Sequence, residues 1–206
     1  MKLQVSFDII ELDKALKSAS DLQHVVDIFE IGSLLLYKYG ETAIKEFRTA
    51  LPQKTILADV KIADRGSQAT KLCVQAGADW VTVLAGTNRN VIHTTCTTAH
   101  DLGKKVMLDL LDTCSLGQSA LEAESLGADA LLFHRPAAER ELAISMEQWD
   151  MVRGNTKLPI FIAAHVTRET IDHIFQLKPG GIVMGKSAVE ANIDEVKYLS
   201  SLIHAQ

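Results

Sequence analysis

The sequence predicts a closed (β/α)8 TIM barrel, an α/β fold of one domain over residues 1–206. Short Val-, Ile- and Leu-rich runs alternate with longer amphipathic stretches along the chain, the pattern of a parallel sheet with helical crossovers. Three times a helix end runs straight into a strand, in "AGADWVTVL", "LGADALLFH" and "KPGGIVMGK". Eight strand–helix units at roughly 25-residue spacing are what a compact barrel requires. A doubly wound open sheet is the rival, but the chain offers no obvious topological switch point and no G-x-G-x-x-G fingerprint.

Strands are read at 3–7 (LQVSF), 25–31 (VVDIFEI), 55–61 (TILADVK) and 80–85 (WVTVLA). Four more follow at 105–111 (KVMLDLL), 130–134 (ALLFH), 160–164 (IFIAA) and 181–185 (GIVMG). Between them, helical periodicity marks "DKALKSASDL", "ETAIKEFRTAL", "SQATKLCVQAG" and "VIHTTCTTAHDLG". It continues in "SALEAESLG", "MEQWDMVRG", "RETIDHIFQL" and "IDEVKYLSSLIHA". Gly77, Gly103, Gly127 and Gly154 stand where helices should end. No linker, low-complexity tract or charge block divides the chain.

Composition narrows the function classes. A chain that is 47% hydrophobic and 23% charged can bury a full core. A formal charge of -5 without any Lys/Arg-rich run argues against nucleic acid as partner. Cys73, Cys96 and Cys114 are odd in number, far apart and without a C-x-x-C pair, so neither a disulfide framework nor a thiolate zinc site is expected. Early acids at Asp8 and Glu11, and the lack of a long apolar run, point to a soluble, cytoplasmic protein with no signal peptide and no membrane partner.

In a barrel of this kind, functional groups collect at the carboxyl ends of the strands. Asp8 ends the first strand, Glu30 the second, and Asp59, Lys61 and Asp64 the third, in "LADVKIADRGS". Strand alternation aims Asp59 and Lys61 to the same face. Asp109 lies near the end of the fifth strand, His134 and Arg135 end the sixth, His165 the seventh, and Gly185-Lys186 the eighth. A lone strand-end aspartate is more often a cap or turn former, and a lone histidine is often a satisfied core residue. Several carboxylates and a lysine converging on one mouth repel each other or cost desolvation unless they have a task or a metal.

Such a set suits one kind of chemistry. Two carboxylates give hard oxygen ligands for Mg²⁺, which keeps positions for substrate oxygens. A metal chelated by a hydroxy-ketone stabilises an enediolate, and a lysine flanked by aspartates stays protonated to neutralise it. "GIVMGKSAVEA", with Gly185 and Lys186, offers a phosphate seat in the eighth unit.

"LADVKIADRG" resembles the D-x-K-x-x-D motif of the orotidine 5′-phosphate decarboxylase superfamily. The chain is most similar to its branch of 3-hexulose-6-phosphate synthases and 3-keto-L-gulonate-6-phosphate decarboxylases. "MKLQVSFD", "VDIFEIGSLLLYKYG", "AGADWVTVLAG", "GKKVMLDLLD" and "GIVMGKSA" follow in the expected order. The resemblance implies a homodimer acting on a phosphorylated sugar through a Mg²⁺-stabilised cis-enediolate. By position, it implies Glu30 and Asp59 as metal ligands, Lys61 beside the enediolate, and His134 as general acid/base. Asp64 matches the aspartate that enters the neighbouring subunit's site, and Asp8 and Asp109 match carboxylates around substrate or metal. Gly185 and Lys186 match the phosphate-binding turn, and Arg135 belongs to the substrate-binding sixth loop.

Within the branch, Asp109 and the compact length favour the synthase, which condenses formaldehyde with ribulose 5-phosphate. "KIADRG" and "FHRP" lean toward decarboxylation of 3-keto-L-gulonate 6-phosphate. A family Gly-Gly pair on the seventh strand is replaced here by Ala164 and His165, whose Cβ atoms crowd a backbone approach to phosphate. His165 is therefore read as a substrate-binding residue. That loss also motivates a third reading, a sugar-phosphate-binding paralogue without catalysis.

Overall fold

The structure, a computed structural model, describes residues 1–134, 145–163, 165–185, 188–189 and 193–206. Eight parallel strands close into a barrel in sequence order. They are β1 (Lys2–Phe7), β2 (Ile28–Ile31), β3 (Thr55–Ile62), β4 (Trp80–Leu84), β5 (Lys105–Asp109), β6 (Ala130–Phe133), β7 (Ile160–Ala163) and β8 (Gly181–Met184). The helices found among the described residues are α1 (Leu12–Leu22), α2 (Ser33–Tyr39), α3 (Glu41–Ala50), α4 (Gly66–Ala76) and α5 (Arg89–Asp101). They continue as α6 (Leu116–Leu126), α7 (Met146–Arg153), α8 (Ile171–Gln176) and α9 (Ile193–His204).

Every expected strand is present. The second is shorter than read, because Val25, Val26 and Asp27 belong to the approach to Ile28 and not to the ladder. The short helix α2 was not anticipated: "SLLLYKY" is apolar on several sides and is enclosed between Gly32 and Gly40. None of the helices described is long and apolar enough to cross a membrane.

Strand alternation sorts the residues into two cores. Leu3, Val5 and Phe7 of β1 point outward into the layer beneath the helices, where Phe7 meets Phe29 and Phe47. The inward residues form a separate interior cluster of Ile28, Leu57, Met107, Ala130, Leu132, Phe161 and Val183, with Trp80 against it. Two residues further along several of these strands, the same inward direction carries a polar group. Ile28 gives way to Glu30, Leu57 to Asp59, Trp80 to Thr82, and Met107 to Asp109. The barrel is thus apolar at its base and charged about 7 Å higher, one strand repeat up.

The base is tied by a repeated aspartate. Asp27, Asp79 and Asp129 precede β2, β4 and β6, and accept the backbone N–H of the second residue of the preceding strands, from Leu3, Ile56 and Val106. Each also holds a base from the helical layer or its connections: His204 on Asp27, Arg48 and Lys104 on Asp79, and His100 on Asp129. The "AD" before the strands in "AGADWVTVL" and "LGADALLFH" is this device.

Near the mouth, Gly32 passes against β1. A Cβ there would lie 2.6 Å from the Asp8 Cα, so only glycine admits this approach. It brings the start of α2 beside Asp8 and, through Ser33, beside Asp59.

Candidate active site

The site is built on β3. Its ladder with β4 pairs Ala58 with Val81 but Ile62 with Val83, so the strand bulges between them. Lys61 sits in that bulge with φ 46°, a left-handed conformation unusual for a lysine. Its backbone N–H leaves the ladder and donates to Thr82 Oγ1 at 2.8 Å. The expectation from strict alternation, that Asp59 and Lys61 share a face, holds: Lys61 Nζ touches Asp59 Oδ2 directly. It does so through a bulge and not a regular strand.

Asp59 is buried and meets three donors, one fewer than a carboxylate can accept. Thr82 Oγ1 donates to Oδ1 at 2.9 Å, and Ser33 Oγ lies 2.8 Å from Oδ2, which Lys61 also contacts. On the far side of the ammonium, Asp109 Oδ2 stands 3.6 Å from Lys61 Nζ. Burial works against the Lys61 charge, but Asp59 and then Asp109 outweigh it and hold its pKa above the ordinary lysine value. The ammonium is a fixed positive charge at neutral pH.

Glu30, on β2, is buried and receives Ser6 Oγ at 2.6 Å and the amide of Gln4. Burial first and the Asp59 carboxylate second push its pKa up to about 7, against the pull of those two donors. Asp109 is fully buried at the end of β5, accepts the Leu111 N–H at 3.0 Å, and lies 3.1 Å from His134 Nδ1. A carboxylate partner makes that nitrogen the N–H donor and places the ring's lone pair on Nε2.

Glu30, Asp59, Lys61, Asp109 and His134 therefore form one continuous group. Asp8 stands at its rim, and its Oδ1 accepts the Leu34 N–H at the start of α2. Asp64 is not in the group: its side chain is 84% exposed, on the loop before α4. His165 is exposed and Gly185 half-buried at the mouth. Arg135, Ala164 and Lys186 lie outside the described residues. Sequence reasoning missed Gln4, Ser6, Ser33 and Thr82, small neutral residues that give no charge signal. Their inward strand parity or place beside "EIG" was the only available cue.

Residues 1–156 match the model of the orotidine 5'-phosphate decarboxylase / HUMPS family. The chain belongs to that family. Over 193 residues it is 28% identical to the 3-hexulose-6-phosphate synthase of Bacillus subtilis (strain 168), covering 93% of this chain and 92% of that protein. The structure of 3-hexulose-6-phosphate synthase from Salmonella typhimurium superposes with a TM-score of 0.91 at 29% identity, covering 100% of this chain and 99% of that one. The 3-keto-L-gulonate-6-phosphate decarboxylase from Vibrio cholerae shares the fold, with a TM-score of 0.87 at 22% identity over 99% of this chain and 95% of that one. The 3-hexulose-6-phosphate synthase relatives support the reading of the chain as a carbon–carbon lyase.

Proposed function

We propose that this family member is a Mg²⁺-dependent sugar-phosphate lyase, working as a 3-hexulose-6-phosphate synthase. The observation that carries the reading is the Lys61 ammonium seated between Asp59 and Asp109 at the barrel mouth. Paired with the synthase relatives at comparable length, it supplies the charge an enediolate needs.

The residues fit the metal. Among those described, no cluster of three or more His, Cys, Asp and Glu side chains forms a metal cage. Mg²⁺ needs less, being commonly held by one or two carboxylates with substrate and water completing its shell. Glu30 and Asp59 supply those carboxylates, and the like-charge pressure that helps push Glu30 up to about 7 is what a divalent cation relieves. A bound Mg²⁺ would add positive charge beside the substrate's vicinal oxygens.

The chain's own groups account for the remaining work. His134 takes a proton from C1 of ribulose 5-phosphate, with Asp109 holding the imidazolium that forms. Lys61 faces the resulting enediolate and offsets its charge. C1 attacks the formaldehyde carbon as the enediolate returns to the C2 ketone, the formaldehyde C=O π bond becomes an alkoxide, and that oxygen takes the proton from the His134 imidazolium, which restores the base. Asp8 and Gly185 border the mouth where the sugar lies, and His165 is exposed at the end of β7 to meet the phosphate.

The site is completed by a second copy of the chain. Asp64 projects from the loop before α4, and Leu34 and Tyr37 of α2 and Leu72 of α4 are exposed. A cavity of about 350 Å³ opens there among Leu36, Ile44, Val60, Leu72 and Cys73. A partner covering this face would receive Asp64 into its own site.

Purified protein supplied with Mg²⁺ is assayed on both candidate substrates. Product from ribulose 5-phosphate and formaldehyde supports the synthase. CO2 release from 3-keto-L-gulonate 6-phosphate instead makes it the decarboxylase, and turnover of neither removes the lyase reading.

A further inference from the structure

We infer that Thr82 is a positioning residue that holds the catalytic lysine in register, an inference resting on the lyase reading of the same site. Thr82 is fully buried on β4, the neighbour of β3. Its hydroxyl makes two contacts that fix each other's direction. It accepts the Lys61 backbone N–H at 2.8 Å, so its own hydrogen goes to Asp59 Oδ1 at 2.9 Å. A hydroxyl has one hydrogen to give, and Asp59 takes it.

Those bonds close a ring. Lys61 is tied at its backbone to Thr82, Thr82 to Asp59, and Asp59 back to the Lys61 ammonium. The ring matters because Lys61 is in the left-handed region at φ 46°, where a residue with a Cβ is held only if its surroundings over-determine it. The bulge removes the usual ladder partner of the Lys61 N–H, and the Thr82 hydroxyl replaces it. Without the hydroxyl, the part-buried Lys61 N–H and Asp59 Oδ1 both lose this partner, and with it the tie from β4 to the turn that aims the side chain at Asp59 and Asp109. Catalytic groups held by such supporting bonds lose rate when the support goes, even if they themselves remain.

The test compares Thr82→Val, which keeps shape and removes the hydroxyl, with Thr82→Ser, which keeps the hydroxyl. Both are measured at saturating Mg²⁺, with the folded fraction read by circular dichroism. The valine protein should lose about 10- to 100-fold in kcat, with KM for the sugar phosphate within about threefold of the parent, while serine restores most of the rate. A purely structural role would lower the melting temperature and leave kcat of the folded protein unchanged. Equal kcat in Val and parent proteins, or equal losses in Val and Ser, overturns the inference. If the valine protein fails to fold, Thr82→Ala repeats the comparison under the same criteria.

A second readout is independent of turnover. The Lys61 amide should exchange with solvent deuterium at least about tenfold faster in the valine protein, with Leu57 and Ala58 unchanged. Unchanged Lys61 exchange would overturn the inference by itself. If the parent protein turned over neither sugar phosphate, the lyase reading would fall, and the exchange data would still decide whether Thr82 holds Lys61.

Discussion

Asp109 Oδ2 lies 3.1 Å from His134 Nδ1, and the aspartate is fully buried between that ring and the Lys61 ammonium. One carboxylate therefore fixes the histidine tautomer and braces the lysine charge. Asp109→Asn keeps the volume and removes the charge, so the protein should fold while kcat falls by about 10²- to 10⁴-fold. Steady-state kinetics beside a thermal melt check this; near-parental kcat would separate His134 from the chemistry.

Asp59 is the proposed ligand whose loss is hardest to isolate, because Thr82, Ser33 and Lys61 all depend on it. Asp59→Ala leaves a largely buried ammonium with Asp109 as its carboxylate partner and should cost about 1–3 kcal/mol of stability. Asp59→Asn is the cleaner probe. It should abolish turnover and weaken Mg²⁺ binding, read by isothermal titration, with the circular dichroism spectrum intact. Parental Mg²⁺ affinity in that variant would move the metal elsewhere.

Asp64 lies just past the end of the strand that carries Lys61, but the two face different ways, one exposed and one largely enclosed in the mouth. If Asp64 serves the partner's site, inactive Asp64→Asn and inactive Lys61→Ala subunits should complement one another. Random mixing makes half the dimers mixed, each with one intact site of two, so about a quarter of parental activity should return. No recovery after subunit exchange shown by mass spectrometry would mean that each site is complete within one chain.

At the other end of the barrel, Asp79 predicts an acid-sensitive fold. Burial raises its pKa, but the Lys104 hydrogen bond, the Ile56 N–H and Arg48 outweigh that and hold it below the ordinary aspartate value. With the folded pKa depressed, the stabilisation is present above the unfolded value near 3.8 and is lost as pH falls through the folded pKa. Asp79→Asn should lower the urea midpoint at pH 7, by about 1–3 kcal/mol of stability, and narrow the gap from parent protein as pH drops toward 3. A constant gap across that range would remove Asp79 from the acid response.

The barrel was legible because period-two alternation and glycine-ended helices repeat along the chain, and each unit reinforces the next. The charged group was legible for a related reason: Glu30, Asp59 and Asp109 occupy inward positions two residues above apolar ones, and a buried acid is conspicuous. The Lys61 bulge was not. No residue type announces a left-handed lysine, and "DVKI" reads as regular strand. Thr82 was hidden because threonine is an ordinary strand former, so its second task leaves no compositional trace. Asp64 was read, through the family resemblance, as reaching the neighbouring subunit's site, and the structure places it outward on its own chain.

The most direct test of the account is the rate of formaldehyde consumption with ribulose 5-phosphate, measured on Mg²⁺-loaded protein and again after chelation. The arrangement of Lys61 between Asp59 and Asp109, beside Glu30, predicts steady consumption that stops on chelation and returns when Mg²⁺ is added back. Absence of consumption by the folded, Mg²⁺-loaded protein, or consumption undiminished by the chelator, would contradict it.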